Sequence, residues 1–117
     1  MGSIAKLSSA VSGKKRAFFI DLAKIESMKE FFSIRDDETI IPAKDKDSVQ
    51  ELIGAMSLSR GKNIFFIMTP RFMWDGFPFH LLTKEGFVEN VDYVRGWEFL
   101  SEAHGNKFNS YSLIKAM

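Results

Sequence analysis

The sequence predicts a single small α+β domain over residues 1–117, built from short helices with a few short strands. Three observations support this fold class. A chain of 117 residues has the usual size of one domain. Its composition, 45% hydrophobic and 26% charged, lies near the average for globular proteins. Apolar runs of strand length also alternate with segments in which apolar residues recur at helical spacing.

The first third of the chain contains two predicted helices and two predicted strands. Apolar spacing predicts a helix over residues 4–11, and the apolar run at 17–20 predicts a buried strand. Asp21 is expected to cap a second helix whose apolar side consists of Leu22, Ile25, Met28 and Phe32. One longer helix over 15–34 is an open alternative for this region. Residues 39–41 predict a short strand that ends at Pro42, because proline cannot donate to a central ladder.

The middle of the chain gives the clearest pattern. Asp47 or Ser48 is expected to cap a helix in which Val49, Leu52, Ile53 and Met56 recur at helical spacing. Residues 59–62 form a polar turn, and the apolar run within 63–69 predicts a buried strand that ends at Pro70. A short buried helix is the alternative for that run.

The last third is predicted to be mainly helical. Residues 71–78 are irregular and rich in aromatic residues, and 79–84 predict a helical turn that ends at Gly86. Asp92 is expected to cap a helix bearing Tyr93, Trp97 and Leu100. A final helix is expected to run to Met117.

Composition limits the function. The net charge of +1 gives no strongly basic face, so any nucleic-acid footprint must be local. The basic groups available for it are Lys14–Arg16, Arg60 with Lys62, and Arg71, Lys84 and Arg95. With two histidines and no cysteine we expect no metal and no cofactor, and the sequence contains no motif that supports an enzyme. The lack of cysteine, of a signal peptide and of a long apolar run favours a cytoplasmic protein.

Acidic residues offer one alternative chemistry. Asp21 follows the predicted strand 17–20, and residues 17–69 read as a β-α-β-α-β unit, in which such a carboxylate can bind a metal ion. This gives the hypothesis of a metal-dependent, nuclease-like α/β domain. The favoured role of Asp21 is that of a helix cap, and the acidic run Asp36-Asp37-Glu38 is expected to be a solvated loop.

Two segments carry a resemblance to a known family. They are Val-Gln-Glu-Leu-Ile-Gly-Ala-Met-Ser-Leu-Ser-Arg-Gly-Lys-Asn at 49–63 and Gly-Phe-Val-Glu-Asn-Val-Asp-Tyr-Val at 86–94. In this order they resemble the N-terminal DNA-binding domains of phage antirepressors. The resemblance implies a non-enzymatic, transcription-regulating module of phage or mobile-element type.

The same resemblance implies a DNA-contacting site. Residues 47–56 would be the first helix of a helix-turn-helix-like unit, after which the chain turns toward DNA. The implied contact residues are Ser59, Arg60, Lys62 and Asn63. Arg and Lys suit phosphates and guanine edges, and Asn suits adenine. A polar turn between a helix and a strand explains the same four residues without DNA.

A protein-binding inhibitor, of the immunity or anti-defence type, is the competing hypothesis. Twelve phenylalanines are many for a chain of this size, and some are expected to form an exposed patch. The aromatic loop around Gly76 would supply that patch through Phe72, Trp74, Phe77 and Phe79. Alternatively, the four side chains close the core as an irregular cap. The identity of the partner and the oligomeric state are not indicated by the sequence.

Overall fold

Four parallel strands form the centre of the structure, and helices cover both faces of the sheet. The computed structural model describes residues 13–97. Within this range the strands are β1 (Lys15–Asp21), β2 (Thr39–Ala43), β3 (Asn63–Thr69) and β4 (Tyr93–Trp97). The α-helices are α1 (Ile25–Phe32), α2 (Ser48–Leu58) and α3 (Phe79–Lys84), and short 3-10 turns lie at Leu22–Lys24 and Arg71–Met73.

The order of the strands in the sheet is β2-β1-β3-β4, so β1 and β3 are the central pair. Their Cα register runs from Lys15 opposite Asn63 to Phe19 opposite Ile67. The chain first adds β2 on one side of β1 and then crosses to build β3 and β4 on the other side. In open parallel sheets such a reversal between neighbouring strands is the topological switch point.

The core has two layers because successive side chains of a strand point to opposite faces. On one face, Phe18, Ile20 and Phe66 pack with Met28 and Phe32 of α1. The other face packs against α2 and α3 and includes Ala17, Phe19, Leu52, Met56, Phe65, Leu82, Phe87 and Tyr93. Strands buried on both faces read as continuous apolar runs, which explains the runs at 17–20 and 64–68.

The predicted fold class, a small α+β domain of short helices and a few short strands, is confirmed. The β-α-β-α-β order of residues 17–69 is also observed, and the single long helix over 15–34 is wrong. Asp21 caps the 3-10 turn Leu22–Lys24, since its Oδ1 accepts from the amide of Ala23 at 2.9 Å, whereas α1 itself begins after Lys24 without a side-chain cap. The two helices predicted at residues 4–11 and near Met117 lie outside the described residues. The predicted domain of residues 1–117 also extends beyond them at both ends.

Three local predictions need correction. Pro42 does not end its strand but lies within β2, where an edge position tolerates the missing donor. Neither Asp47 nor Ser48 caps α2 with its side chain; the buried Ser48 hydroxyl accepts from the Lys44 amide at 2.9 Å. The helix expected after Asp92 is the strand β4.

Glu38 is a further correction, because it is not part of a solvated loop. Its side chain is 4% exposed and accepts from Arg16 Nε at 2.6 Å, from Arg16 Nη2 at 2.7 Å and from the Arg35 amide at 2.8 Å. The same arginine also donates to the carbonyls of Phe32 and Ser33 at the end of α1, both at 3.3 Å. This ion pair therefore joins β1, α1 and the loop before β2.

Candidate nucleic-acid interface

Parallel pairing brings two basic groups of the sequence to one edge of the sheet. The amide of Lys15 donates to the carbonyl of Lys62 at 3.0 Å, and Lys15 lies opposite Asn63 in the register. Both lysine side chains are exposed. By strand alternation, Lys15 shares the face of Ala17 and so lies on the same face as α2. We name Lys15, Arg60, Lys62 and Asn63 the amino-edge patch.

The turn between α2 and β3 holds Arg60 in a fixed position. Arg60 Nη2 donates to the carbonyl of Glu85 at 3.0 Å, and its Cζ lies 4.1 Å from the centroid of the Phe87 ring. Gly86, at φ +90, allows the chain to turn between these two contacts. Arg60 is nevertheless an exposed residue. Its guanidinium thus contacts the Phe87 ring and the Glu85 carbonyl, while the residue as a whole stays accessible to solvent.

Ser59 and Asn63 differ in their surroundings. The Ser59 hydroxyl donates to the Ala55 carbonyl at 2.9 Å, one turn back along α2, so it serves the helix end. Asn63 is half-buried at the start of β3. Both line a shallow surface depression that opens to solvent. Its other lining residues are Met56, Arg60, Gly61, Phe65, Phe87 and Asp92.

A tightly bonded loop borders this depression. Asp92 Oδ2 accepts from the amide of Val88 at 2.7 Å, which closes the loop 88–92. Lys14 Nζ donates to the carbonyl of Val91 at 2.7 Å and lies 3.9 Å from Asp92 Oδ1. Lys14 is therefore already paired with an acidic side chain. Among the lysines at this edge, Lys15 and Lys62 have no ion pair within residues 13–97.

The structure thus brings together the four contact residues implied by the resemblance, but not as a helix-turn-helix. The helix α2 is followed by β3, a central strand, instead of a second helix. Ser59, Arg60, Lys62 and Asn63 lie where that strand begins. Sequence reasoning named Lys15 only as part of a basic group, and it gave no role to Phe87. The spacing of the two basic groups gave no sign of their proximity, since that depends on the strand register.

The aromatic loop divides into buried and exposed members. Phe77 packs on Phe19 and Phe79, with ring centroids 5.9 and 4.4 Å apart, so it belongs to the core side of the loop. Phe79 lies 6.0 Å from Tyr93 in a stacked arrangement. Trp74 is half-buried, and its Nε1 donates to the carbonyl of Thr69 at 3.1 Å.

Phe72 is the exception among these four aromatic residues, since 46% of its surface is exposed. It follows β3 at the carboxyl edge of the sheet. The neighbouring strand β1 is followed there by Leu22, which is 54% exposed. Of the four aromatic residues, only Phe72 is therefore an exposed apolar residue, and Leu22 is another one at the same edge of the sheet.

The carboxyl edge also holds Asp21, the residue of the nuclease-like hypothesis. One of its oxygens is engaged by the Ala23 amide. Within residues 13–97 no three His, Asp or Glu side chains are grouped so that they could hold a metal ion. None of the helices in that range is long and apolar enough to cross a membrane.

Comparisons with known proteins give no match. No protein family, curated protein or solved structure is similar enough to this chain to be identified as related. The resemblance to phage antirepressors is therefore a prediction that these comparisons leave untested.

Proposed function

We propose that this protein is a non-enzymatic nucleic-acid-binding module whose amino-edge patch contacts the phosphate backbone. The observation that carries the proposal is the pairing of Lys15 with the segment Lys62-Asn63 across β1 and β3. Two exposed lysines without an ion pair among residues 13–97 thus share one edge of the sheet with Arg60 and with an amide that suits base edges. The setting that the sequence resemblance implies is transcriptional regulation in a phage or mobile element.

The patch also has a structural role that the experiment must separate from binding. Arg60 and Lys62 follow the C-terminus of α2, where positive charge stabilises a helix by about 0.3–1 kcal/mol. Replacing Arg60 would in addition break its contacts with Glu85 and Phe87. Lys15 and Lys62 are the better test residues because neither side chain holds another part of the described fold.

The test is fluorescence anisotropy of labelled single-stranded and duplex DNA over a salt series, for the wild type and for Lys15→Ala/Lys62→Ala. Each phosphate contact contributes about 0.9 to the slope of log affinity against log salt on duplex DNA. The double variant should therefore bind more weakly, with a slope lower by about 1.8 on duplex DNA and by about 1.4 on single strands, where each contact contributes about 0.7. A matched control is Lys44→Ala/Lys46→Ala, which removes the same charge from exposed positions after β2, at the opposite edge.

Equal losses in the two double variants would contradict the proposed site, because only total charge would then matter. Absence of saturable binding by the wild type at low salt would contradict the proposed function. The exposed pair Phe72 and Leu22 at the carboxyl edge would then favour the protein-binding alternative.

A further inference from the structure

We infer that Arg60 is a stacking platform for an unpaired nucleobase, so that the ligand of the amino-edge patch is single-stranded. This inference rests on the proposed function and specifies its ligand class. It starts from the guanidinium of Arg60, whose Cζ lies 4.1 Å from the Phe87 ring centroid. Proteins that bind single strands stack bases on aromatic rings and on the planes of Arg guanidinium groups.

The position of Arg60 is fixed before any ligand binds. Phe87 is buried, with 3% of its surface exposed, so the ring supporting the guanidinium belongs to the core. The hydrogen bond to the Glu85 carbonyl at 3.0 Å restrains the guanidinium further. A base that stacks on its outer side therefore meets a group whose conformational entropy is already reduced.

The neighbours of Arg60 supply the other contacts that a nucleotide requires. Asn63 lines the same depression and carries donors and an acceptor for the edge of a base. Lys15 and Lys62 lie at the same edge of the sheet for the flanking phosphates. In a duplex the faces of the bases are covered by their neighbours, so this arrangement fits a base that is free of the stack.

Arg95 provides an internal comparison. Its Cζ lies 3.8 Å from the Phe79 ring centroid, and the pair resembles Arg60 on Phe87. However, Arg95 Nε lies 3.2 Å from a Glu89 carboxylate oxygen, so Arg95 already has an acidic partner within the protein. Arg60 instead bonds to an uncharged carbonyl, and its charge remains available to a nucleic acid.

The experiment compares two labelled single-stranded octanucleotides with identical phosphates, oligothymidylate and the same backbone with abasic sites. An Arg guanidinium on a π face contributes about 0.5–1 kcal/mol at an exposed site, so the wild type should bind oligothymidylate about 2–5-fold more tightly. Arg60→Lys keeps the charge and removes the plane, so it should lower this ratio to the part that Asn63 contributes through the base edge. Arg35→Lys is the matched control, since Arg35 is exposed and bonded to acidic neighbours, and it should leave the ratio unchanged.

The outcomes separate the inference from the proposed function. If the wild type binds both octanucleotides equally, stacking on Arg60 is wrong, while phosphate binding by the patch stands. A ratio that persists in Arg60→Lys, with the folded state verified by circular dichroism, would also overturn the inference. If the wild type binds duplex DNA but neither octanucleotide, the inference fails and the proposed function stands; if it binds no DNA at all at low salt, the proposed function itself fails.

Discussion

Replacing Glu38 by glutamine should destabilise the fold, because this carboxylate joins three elements. Its Oε1 accepts from Arg16 Nη2 and from the Arg35 amide, while its Oε2 accepts from Arg16 Nε. Glutamine keeps the first oxygen but places an NH₂ group against Arg16 Nε, so one charge-assisted hydrogen bond is lost. A hydrogen bond to a charged group contributes about 1.5–3 kcal/mol.

That loss should be measurable as a free energy of unfolding from urea titrations followed by circular dichroism at pH 7. Each kcal/mol of lost stability lowers the melting temperature by about 4 °C or more in a domain of this size. The melting temperature of the variant should therefore fall by at least about 6 °C. The matched control is Asp37→Asn in the same loop. Asp37 is 78% exposed and its Oδ1 lies 3.3 Å from Arg35 Nε, so its loss should cost less than about 0.5 kcal/mol.

The pH dependence gives the same prediction a second test. Burial of Glu38 by itself raises its pKa, but the hydrogen bonds from Arg16 and Arg35 and their positive charges outweigh it and leave the pKa below the ordinary 4.5. The folded-state pKa is thus lower than the unfolded one. The stabilisation by the ionised carboxylate is therefore complete above about pH 4.5 and is lost as the pH falls through the folded-state pKa.

The difference in stability between the wild type and Glu38→Gln should consequently shrink in acid. A difference that stays the same from pH 7 to pH 3 would refute the reasoning, as would a Glu38→Gln variant whose stability matches that of Asp37→Asn. Either result would mean that the buried Glu38–Arg16 ion pair contributes no more to the free energy of unfolding than an exposed ion pair does.

Two other substitutions test the core and the helix cap. Phe66→Ala should lower the free energy of unfolding, measured by urea titration, by about 3–5 kcal/mol. Its ring is fully buried and packs on Phe18 and Phe32, whose ring centroids lie 5.0 and 6.0 Å away. A decrease below about 1 kcal/mol would contradict this packing. Asp21→Ala should cost about 0.5–2 kcal/mol, since the amide of Ala23 loses its 2.9 Å partner, and Asp21→Asn should recover most of the loss. Equal stability of the two Asp21 variants would indicate that capping is not the role of this side chain.

The sequence was sufficient to predict the elements that depend on local pattern. The run of five apolar residues from Ile64 to Met68 indicated a buried strand, and the spacing of Val49, Leu52 and Met56 indicated α2. Both patterns arise from burial on one helix face or on two strand faces, and burial is reflected directly in the residue types.

Elements decided by long-range pairing were not predictable in the same way. Tyr93 and Trp97 occur at helical spacing after Asp92, but pairing with β3 makes this segment a strand. Asp92 instead closes the preceding loop through the Val88 amide. The pattern of Tyr93-Val94-Arg95 fits a strand equally well, so local sequence could not decide between the two.

The candidate site likewise has one part that local sequence predicts and one part that depends on long-range pairing. The turn 59–62 was predicted as polar, and its residue types suggested phosphate contacts. The arrival of Lys15 beside Lys62 depends on the register of β1 against β3, for which no residue in either segment gives a direct signal. The burial of Glu38 was missed for a similar reason, because its partner Arg16 lies 22 residues away in the chain.

The central position of β1 has a consequence for how the chain folds during synthesis. Its register partner β3 lies 48 residues later, since Lys15 pairs with Asn63 (63 − 15). Parallel pairing over such a separation is slow, because loop closure must precede any stabilising contact. Until β3 leaves the ribosome, the uncharged segment Ala-Phe-Phe-Ile of β1 can pair only with β2, and its other edge is left open to self-association. Lys14, Lys15 and Arg16 stand directly before it, and charges that flank an apolar strand in this way oppose aggregation by mutual repulsion.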